Sequence, residues 1–328
     1  SVTNVLNEFY TVLVVADTAI SAGSLPPAGA DAATKLRIEA GKLPAPLREV
    51  LMGVSNSGTD KVGQGAESIL RVQAQTQMDR LVGMMAFMVS EPCQRDIAGR
   101  YPFSATGQEV GVDDFNALFA SGGAADEYFK KYLSPLVDTS VRPWRYKNPA
   151  SANAISGSEN LAQGQPMASA TAGPTLTGEL LKLLAKGGPN PDVFAQMGQI
   201  REMFFRDPGA KRLNWRGEYK VVSLDPAVTE LVIDLDGQAQ RYSHGPVQAV
   251  AIQWPGPRAG TMAELHANPR IKTDTSSVQL RGPWAWLRLV ERGKVTGSAQ
   301  AGRISVEYLL DNRRTVLEFS SAGPSPFN

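Results

Sequence analysis

The residues able to do chemistry in this chain are few and scattered. Cys93 is the only cysteine, and His244 and His266 are the only histidines. Two imidazoles and one thiol at such separations make a poor zinc set, which needs four ligands drawn from close pairs. A metal site would therefore require these groups and carboxylates to converge from distant positions. The one thiol cannot form an internal disulfide, and a small apolar residue in a core accounts for it better than a nucleophile does. "GQGAE" at 63–67 begins like a dinucleotide fingerprint but lies in a helical run with no preceding strand. "GVSNSG" at 53–58 lacks the spacing of a nucleophile elbow, and "DLDG" at 234–237 lacks the remaining ligands of a calcium loop. The paired carboxylates Asp113 and Asp114 stand just before Phe115, Leu118 and Phe119. An acidic residue at a helix start accepts backbone N–H bonds and suits the dipole, so a capping aspartate explains them better than a catalytic pair does. These patterns predict no catalytic residue, no cofactor and no metal.

The elements that carry these residues divide by hydrophobic period. The expected class is α+β: an N-terminal all-helical domain over 1–210, then a C-terminal antiparallel β-sandwich domain over 211–328. Residues 1–20 form an amphipathic helix, with Val2, Val5, Leu6, Phe9, Leu13 and Ile20 near one face. Residues 60–90 form the longest helix, with Ile69, Val72, Met78, Leu81, Met84, Met85 and Met88 inward, and Glu91-Pro92 is expected to end it. Gly122-Gly123 breaks a helical hairpin whose second arm buries Tyr128, Phe129, Tyr132 and Leu133. Residues 148–175, rich in Ala, Ser, Gly, Asn and Gln, read as a flexible linker inside the helical part. Helices return at 176–186, closed by Gly187-Gly188, and at 191–206, opened by Pro191.

From about residue 213 short β-branched runs alternate with turn chemistry. Asp236-Gly237 marks a hairpin because glycine tolerates the positive φ of a two-residue turn. Asp311-Asn312-Arg313-Arg314 marks another. "PWAWLRLVERG" at 283–293 is the exception, a short helix between Pro283 and Gly293. The 328 residues carry a formal charge of +1 without a basic run, which argues against a nucleic-acid footprint. The apolar stretch at 12–16 is far shorter than the roughly 20 residues that span a bilayer. No signal peptide opens the chain, and its start inside a helix leads us to expect a fragment of something longer.

An ordered set of motifs carries a resemblance. "GRYPF" (99–103), "DDFNALFASGGAADEYFKKYLSPLVDTS", "RPWRY", "FAQMGQIREMFF" (194–205), "IQWPGP" (252–257), "GPWAWLRLVERG" (282–293) and the ending "SPFN" resemble the C-terminal periplasmic region of the IcmF family, whose type VI secretion members are of the TssM kind. The likeness runs over roughly residues 93–328. It implies a structural, protein-binding segment that links an inner-membrane anchor to an outer-membrane lipoprotein of the TssJ kind. It further implies assembly with a TssL-like inner-membrane protein and self-association. The family's membrane helices and its cytoplasmic nucleotide-binding-like domain have no counterpart here, so no membrane anchor and no nucleotide activity are carried over.

The resemblance and the sparse chemistry together direct attention to a contact surface on the β-part. Tyr242 and His244 are the candidate partner-binding residues, because amphipathic side chains beside turn residues reach a partner without disturbing a core. Two other readings stay open. A cell-wall-glycan module would use Trp215, Trp254, Trp284 or Trp286 as exposed stacking platforms; buried tryptophans would favour the scaffold. A hydrolase would need carboxylates with perturbed pKa values in an apolar cleft.

Overall fold

The computed structural model describes residues 2–27, 29–150, 175–296 and 302–327. The expected linker at 148–175 falls almost wholly outside the described residues. The chain packs as two compact units: Ser1–Gly83 with Pro135–Thr139 and Arg145–Pro189, and Met84–Ser134 with Ser140–Trp144 and Asn190–Asn328.

In the first unit, helices α1 (Val2–Ser21), α2 (Ala30–Gly41) and the greater part of α3 (Ala45–Met85) meet around Phe9, Ala32, Ala33 and Leu36, with Val5, Leu6, Val12 and Leu13 closing the cluster. Close approach depends on missing side chains. A Cβ at Gly58 would lie 3.0 Å from Phe9 and Leu13 atoms, and one at Gly65 would lie 2.6 Å from Ile20. Two-residue strands β1 (Val137–Asp138) and β2 (Arg145–Tyr146) pair antiparallel. Helix α6 (Leu176–Gly187) starts at Thr175, whose hydroxyl accepts the Gly178 N–H at 3.1 Å.

Two expectations for the long helix need correction. Val72 is exposed, and Leu70 and Ala74 take the inward positions. Glu91-Pro92 does not end the helical path. It passes into a π-turn at Ala86–Ser90, through Glu91 and Pro92 in helical conformation, and through a second π-turn at Cys93–Ile97 before Ala98 turns extended. Proline lacks the N–H that a helix needs and its ring crowds the preceding turn; the wider π-turn gives that ring room.

The second unit holds α4 (Val112–Phe119), α5 (Ala124–Tyr128, extended by a π-turn through Leu133), α7 (Asp192–Phe204) and the sandwich. The hairpin of α4 and α5 is present, but the aspartates do not cap it. Gly111 occupies the cap without a side-chain bond, while Asp113 and Asp114 sit exposed in the first turn. There they suit the dipole rather than a specific N–H.

The strands are β3 (Trp215–Leu224), β4 (Glu230–Leu235), β5 (Gln238–Tyr242), β6 (Val250–Trp254), β7 (Met262–Asn268), β8 (Ser277–Arg281), β9 (Lys294–Val295), β10 (Arg303–Leu310) and β11 (Arg313–Ser321). One sheet has the order β6-β3-β11-β10-β9 and the other β5-β4-β7-β8, with antiparallel neighbours throughout. Period-two alternation decides which side chains face the core: Ala263, Leu265 and Ala267 from β7, and Val306, Tyr308 and Leu310 from β10, are buried. The second hairpin turn is shorter than expected. Only Asp311 and Asn312 have positive φ, and Arg313 and Arg314 already belong to β11. Helix α8 (Ala285–Arg292) links β8 to β9 and packs against β7 and β8.

Candidate partner-binding surface

The β4–β5 hairpin turns on Asp236 at φ 58° and Gly237 at φ 92°, the left-handed pair of a two-residue turn. Tyr242 is the last residue of β5 and half-buried; its hydroxyl donates to the Gly245 carbonyl at 2.7 Å. His244 is exposed with φ 57°, and its Nε2 lies 2.6 Å from the Val228 carbonyl. A carbonyl only accepts, so Nε2 carries a proton in this bond. The two candidate residues thus bond to separate carbonyls and both stiffen one exposed loop. Residues 243–249 are all exposed, Val247 among them at 55 %. The loop runs from β5, the edge of one sheet, to β6, the edge of the other.

At the turn end of the same hairpin lies a device that the turn signal alone did not disclose. Asp236 is fully buried, and its carboxylate accepts from the N–H groups of Gly256 at 2.7 Å, Gly260 at 2.6 Å and Thr261 at 2.8 Å. It thereby fastens the β6–β7 connection, "PGPRAG", to the β4–β5 hairpin. Asp311 repeats the arrangement at the β10–β11 turn. It accepts from Ile271 N at 3.1 Å, Lys272 N at 3.3 Å and Thr275 Oγ1 at 2.6 Å, and pairs with Arg313 at 3.0 Å. Desolvation alone would raise the Asp311 pKa; the Thr275 hydroxyl, the two N–H groups and Arg313 outweigh it and hold the carboxyl below its ordinary value. Each aspartate clasps a loop contributed by the other sheet or by the crossover between sheets. The available signal was the first residue of each turn dipeptide, an aspartate where asparagine would serve the φ equally well.

The motif residues that carried the family resemblance converge as packing. Phe115 lies 5.4 Å from Phe204, 5.6 Å from Phe205 and 5.0 Å from Trp284 between ring centroids. Trp284 Nε1 donates to the Val110 carbonyl at 2.8 Å. Arg288 stacks its guanidinium 3.8 Å above the Tyr101 ring, pairs with Glu109, and donates to the Thr106 carbonyl at 2.9 Å. Trp215 and Trp286 stack at 3.9 Å, with Phe327 of the ending set edge-on against both. Trp215, Trp254, Trp284 and Trp286 are all 2 % exposed or less. No tryptophan of this set is a sugar platform; the rings fill the core. His266 faces Glu264 at 3.0 Å, and among the described residues no three metal-binding side chains come together.

Lower in the same unit, Asp126 does what the neighbouring Asp113–Asp114 pair does not. It is buried, pairs with Arg201 at 2.9 Å and Lys130 at 2.7 Å, and accepts the Gly122 N–H at 2.9 Å. Desolvation opposes its charge, but Lys130, Gly122 and Arg201 together hold its pKa below the ordinary value. This is a tie between α5 and α7, not a catalytic carboxylate in a cleft.

The fold is a β-sandwich whose helical neighbours share its core, with ordered loops at an open edge. Residues 218–323 match the type VI secretion protein IcmF C2-like domain. Over 239 residues the chain is 31% identical to the type VI secretion system component TssM1 of Pseudomonas aeruginosa, covering 71% of this chain and 19% of that protein. The chain therefore spans about a fifth of the length of this curated relative. In fold it resembles the T6SS protein TssM C-terminal domain from EAEC, with a TM-score of 0.52 and 14% identity over 76% of this chain and 92% of that one. It also resembles a chain of a type VI secretion system membrane core complex, with a TM-score of 0.51 and 14% identity over 97% of this chain and 57% of that one. The chain is a C-terminal region of the TssM kind in the IcmF family. Among the described residues no helix is long and apolar enough to cross a membrane.

Proposed function

We propose that this chain is a structural, protein-binding segment of a type VI secretion membrane complex. It acts in the periplasm, between an inner-membrane anchor and an outer-membrane lipoprotein of the TssJ kind, and it assembles with a TssL-like inner-membrane protein and with further copies of itself. The observation that carries this reading is the 31% identity to TssM1 over 239 residues, joined to the IcmF C2-like match at 218–323. The architecture supports it in physical terms. Trp215, Trp254, Trp284 and Trp286 are spent on packing, and Asp126, Asp236 and Asp311 on fastening helices and loops. The sandwich also presents ordered loops and a strand edge, the surfaces that protein contacts use.

The lipoprotein contact lies on the loop and edge around Tyr242 and His244. Tyr242 is half-buried and holds the loop by its hydroxyl, while His244 is exposed and anchored to the Val228 carbonyl. Calorimetric titration of the cognate lipoprotein against the full chain tests this. Binding is expected, and Tyr242→Ala is expected to weaken it by about 1–2 kcal/mol, the loss typical of a contact near a binding centre. An absence of binding by the intact, folded chain overturns the lipoprotein reading. Binding that is indifferent to both Tyr242→Ala and His244→Ala removes the residue assignment alone.

A further inference from the structure

The two flanks of the sandwich are finished differently. At one flank, α8 joins β8 to β9 and packs against β8, and β9 is only two residues long. Short edges and helical cover are the usual protections against stray strand pairing. At the other flank stand β5 and β6, connected along the chain by the exposed loop 243–249. The β6 edge is partly closed. The Gln238 side-chain amide donates to the Gln253 carbonyl at 2.7 Å and accepts the Gln253 N–H at 3.0 Å, so a side chain imitates a neighbouring strand.

No such device protects β5. Its register pairs Leu235 with Gln238, Ile233 with Gln240 and Leu231 with Tyr242. In a two-residue hairpin the residues flanking the turn exchange backbone bonds, and the pattern then alternates. Gln238, Gln240 and Tyr242 therefore turn their N–H and C=O groups toward β4. Ala239 and Arg241 turn theirs outward. The Asp236 N–H bond to the Met262 carbonyl, on the β7 side of β4, fixes the same parity independently. Ala239, Gln240 and Arg241 are exposed, and the strand contains no proline and pairs with β4 without a register shift. Residues 238–249 include no aspartate or glutamate, and the exposed Arg241 pairs with Glu230 of β4 at 2.8 Å, so the edge carries no unbalanced charge.

We propose that β5 receives an extended segment of the partner protein as an additional strand, through the outward backbone groups of Ala239 and Arg241. The incoming segment runs beside the Arg241–Glu230 pair, and Tyr242 and the 243–249 loop bracket one of its ends. This deepens, and rests on, the lipoprotein reading of the same surface. It changes what recognition reads: backbone hydrogen bonds supply affinity and side-chain anchors only the register.

Ala239→Pro tests it. Proline at 239 removes an N–H that points away from β4 and places its ring in the path of an added strand, while every β4–β5 bond survives; edge strands tolerate proline for that reason. The full chain with Ala239→Pro is titrated with the cognate lipoprotein. The expected result is a loss of affinity of about tenfold or more with an unchanged thermal midpoint, one hydrogen bond and one steric block being enough for that factor. Hydrogen exchange on the unsubstituted chain gives a second readout free of any folding defect: lipoprotein is expected to slow exchange at Ala239 and Arg241 and to leave Gln240 as it was. Unchanged affinity of a folded Ala239→Pro chain, or unchanged exchange at Ala239 and Arg241 on binding, overturns strand addition while the lipoprotein reading stands. No binding by the unsubstituted chain overturns both.

Discussion

Trp254 pairs in register with Trp215 across β6 and β3, is 1 % exposed, and donates Nε1–H to the Pro283 carbonyl at 2.7 Å. It closes the sandwich core at the foot of the loop that Asp236 holds. Trp254→Ala is expected to lower stability by about 3–5 kcal/mol, from lost burial, a cavity and an orphaned carbonyl; denaturant melts of the two chains check it. Asp126 makes a different prediction, set by pH. Its folded pKa lies below the ordinary carboxylate value, so the charged form is favoured by folding. The stability it contributes is complete above the unfolded pKa of about 3.9 and is lost as pH falls through the lower folded value. Asp126→Asn is expected to destabilise the chain at neutral pH and to flatten the loss of stability below about pH 4. Parallel acid-limb curves for the two chains would show that the Arg201 and Lys130 pairs do not couple to folding. Asp311 shares the sign, held low by Thr275, Ile271, Lys272 and Arg313.

Among the elements, α3 has the most conditional stability. Its glycines are poor helix formers, yet two of them, Gly58 and Gly65, stand where α1 must come close. Gly58→Leu would push atoms into Phe9 and Leu13, and overpacking of that kind costs about 1–3 kcal/mol. Gly53 is the matched control, since a Cβ there meets nothing within 4 Å. Gly53→Ala is expected to stabilise the chain by up to about 1 kcal/mol through helix propensity alone. If both substitutions shift the unfolding midpoint in the same direction, close α1–α3 packing is not what the Gly58 position serves. In the sandwich, the corresponding dependence is on turns rather than on helix faces. Asp236 and Asp311 each give a strand pair its reversal and a distant loop its anchor, so one residue type at one position answers to two elements.

At the scale of the second packed unit, helix and sheet are not separate bodies. The change from helical to strand period falls near residue 213, while the second packed unit runs from Met84 across that point and gathers α4, α5 and α7 onto the sheets. The Phe115, Phe204 and Trp284 rings, and the Arg288 bonds to Glu109 and Thr106, are what join them. A fragment beginning at 211 would expose these rings, which is why binding belongs to experiments on the full chain. The purified chain is expected to hydrolyse neither nucleotides nor glycans. Turnover that persists through purification and disappears with one carboxylate substitution would reverse the scaffold reading.

The sequence by itself determined the α+β class, the α4–α5 hairpin, both β-hairpin positions and the α8 helix. Each rests on local signals: hydrophobic period, a glycine pair, a positive-φ dipeptide, a proline start and a glycine stop. The ordered motifs also carried the family. What they could not carry was the use to which Trp215, Trp254, Trp284 and Trp286 are put, because burial depends on which surface meets them and not on their neighbours in the chain. Nor could they reveal that Pro92 sits within a continuing helical path, since the π-turn that accommodates it is a packing outcome. The same holds for Asp236. Its turn role was local and legible, but its buried bonds to Gly256, Gly260 and Thr261 come from a segment 20 or more residues away that only the crossing of the two sheets brings near. Tertiary structure likewise decided that β5 is an edge: strand order is fixed by which faces bury together, and no property of the segment 238–242 announces that one of its sides has no neighbour.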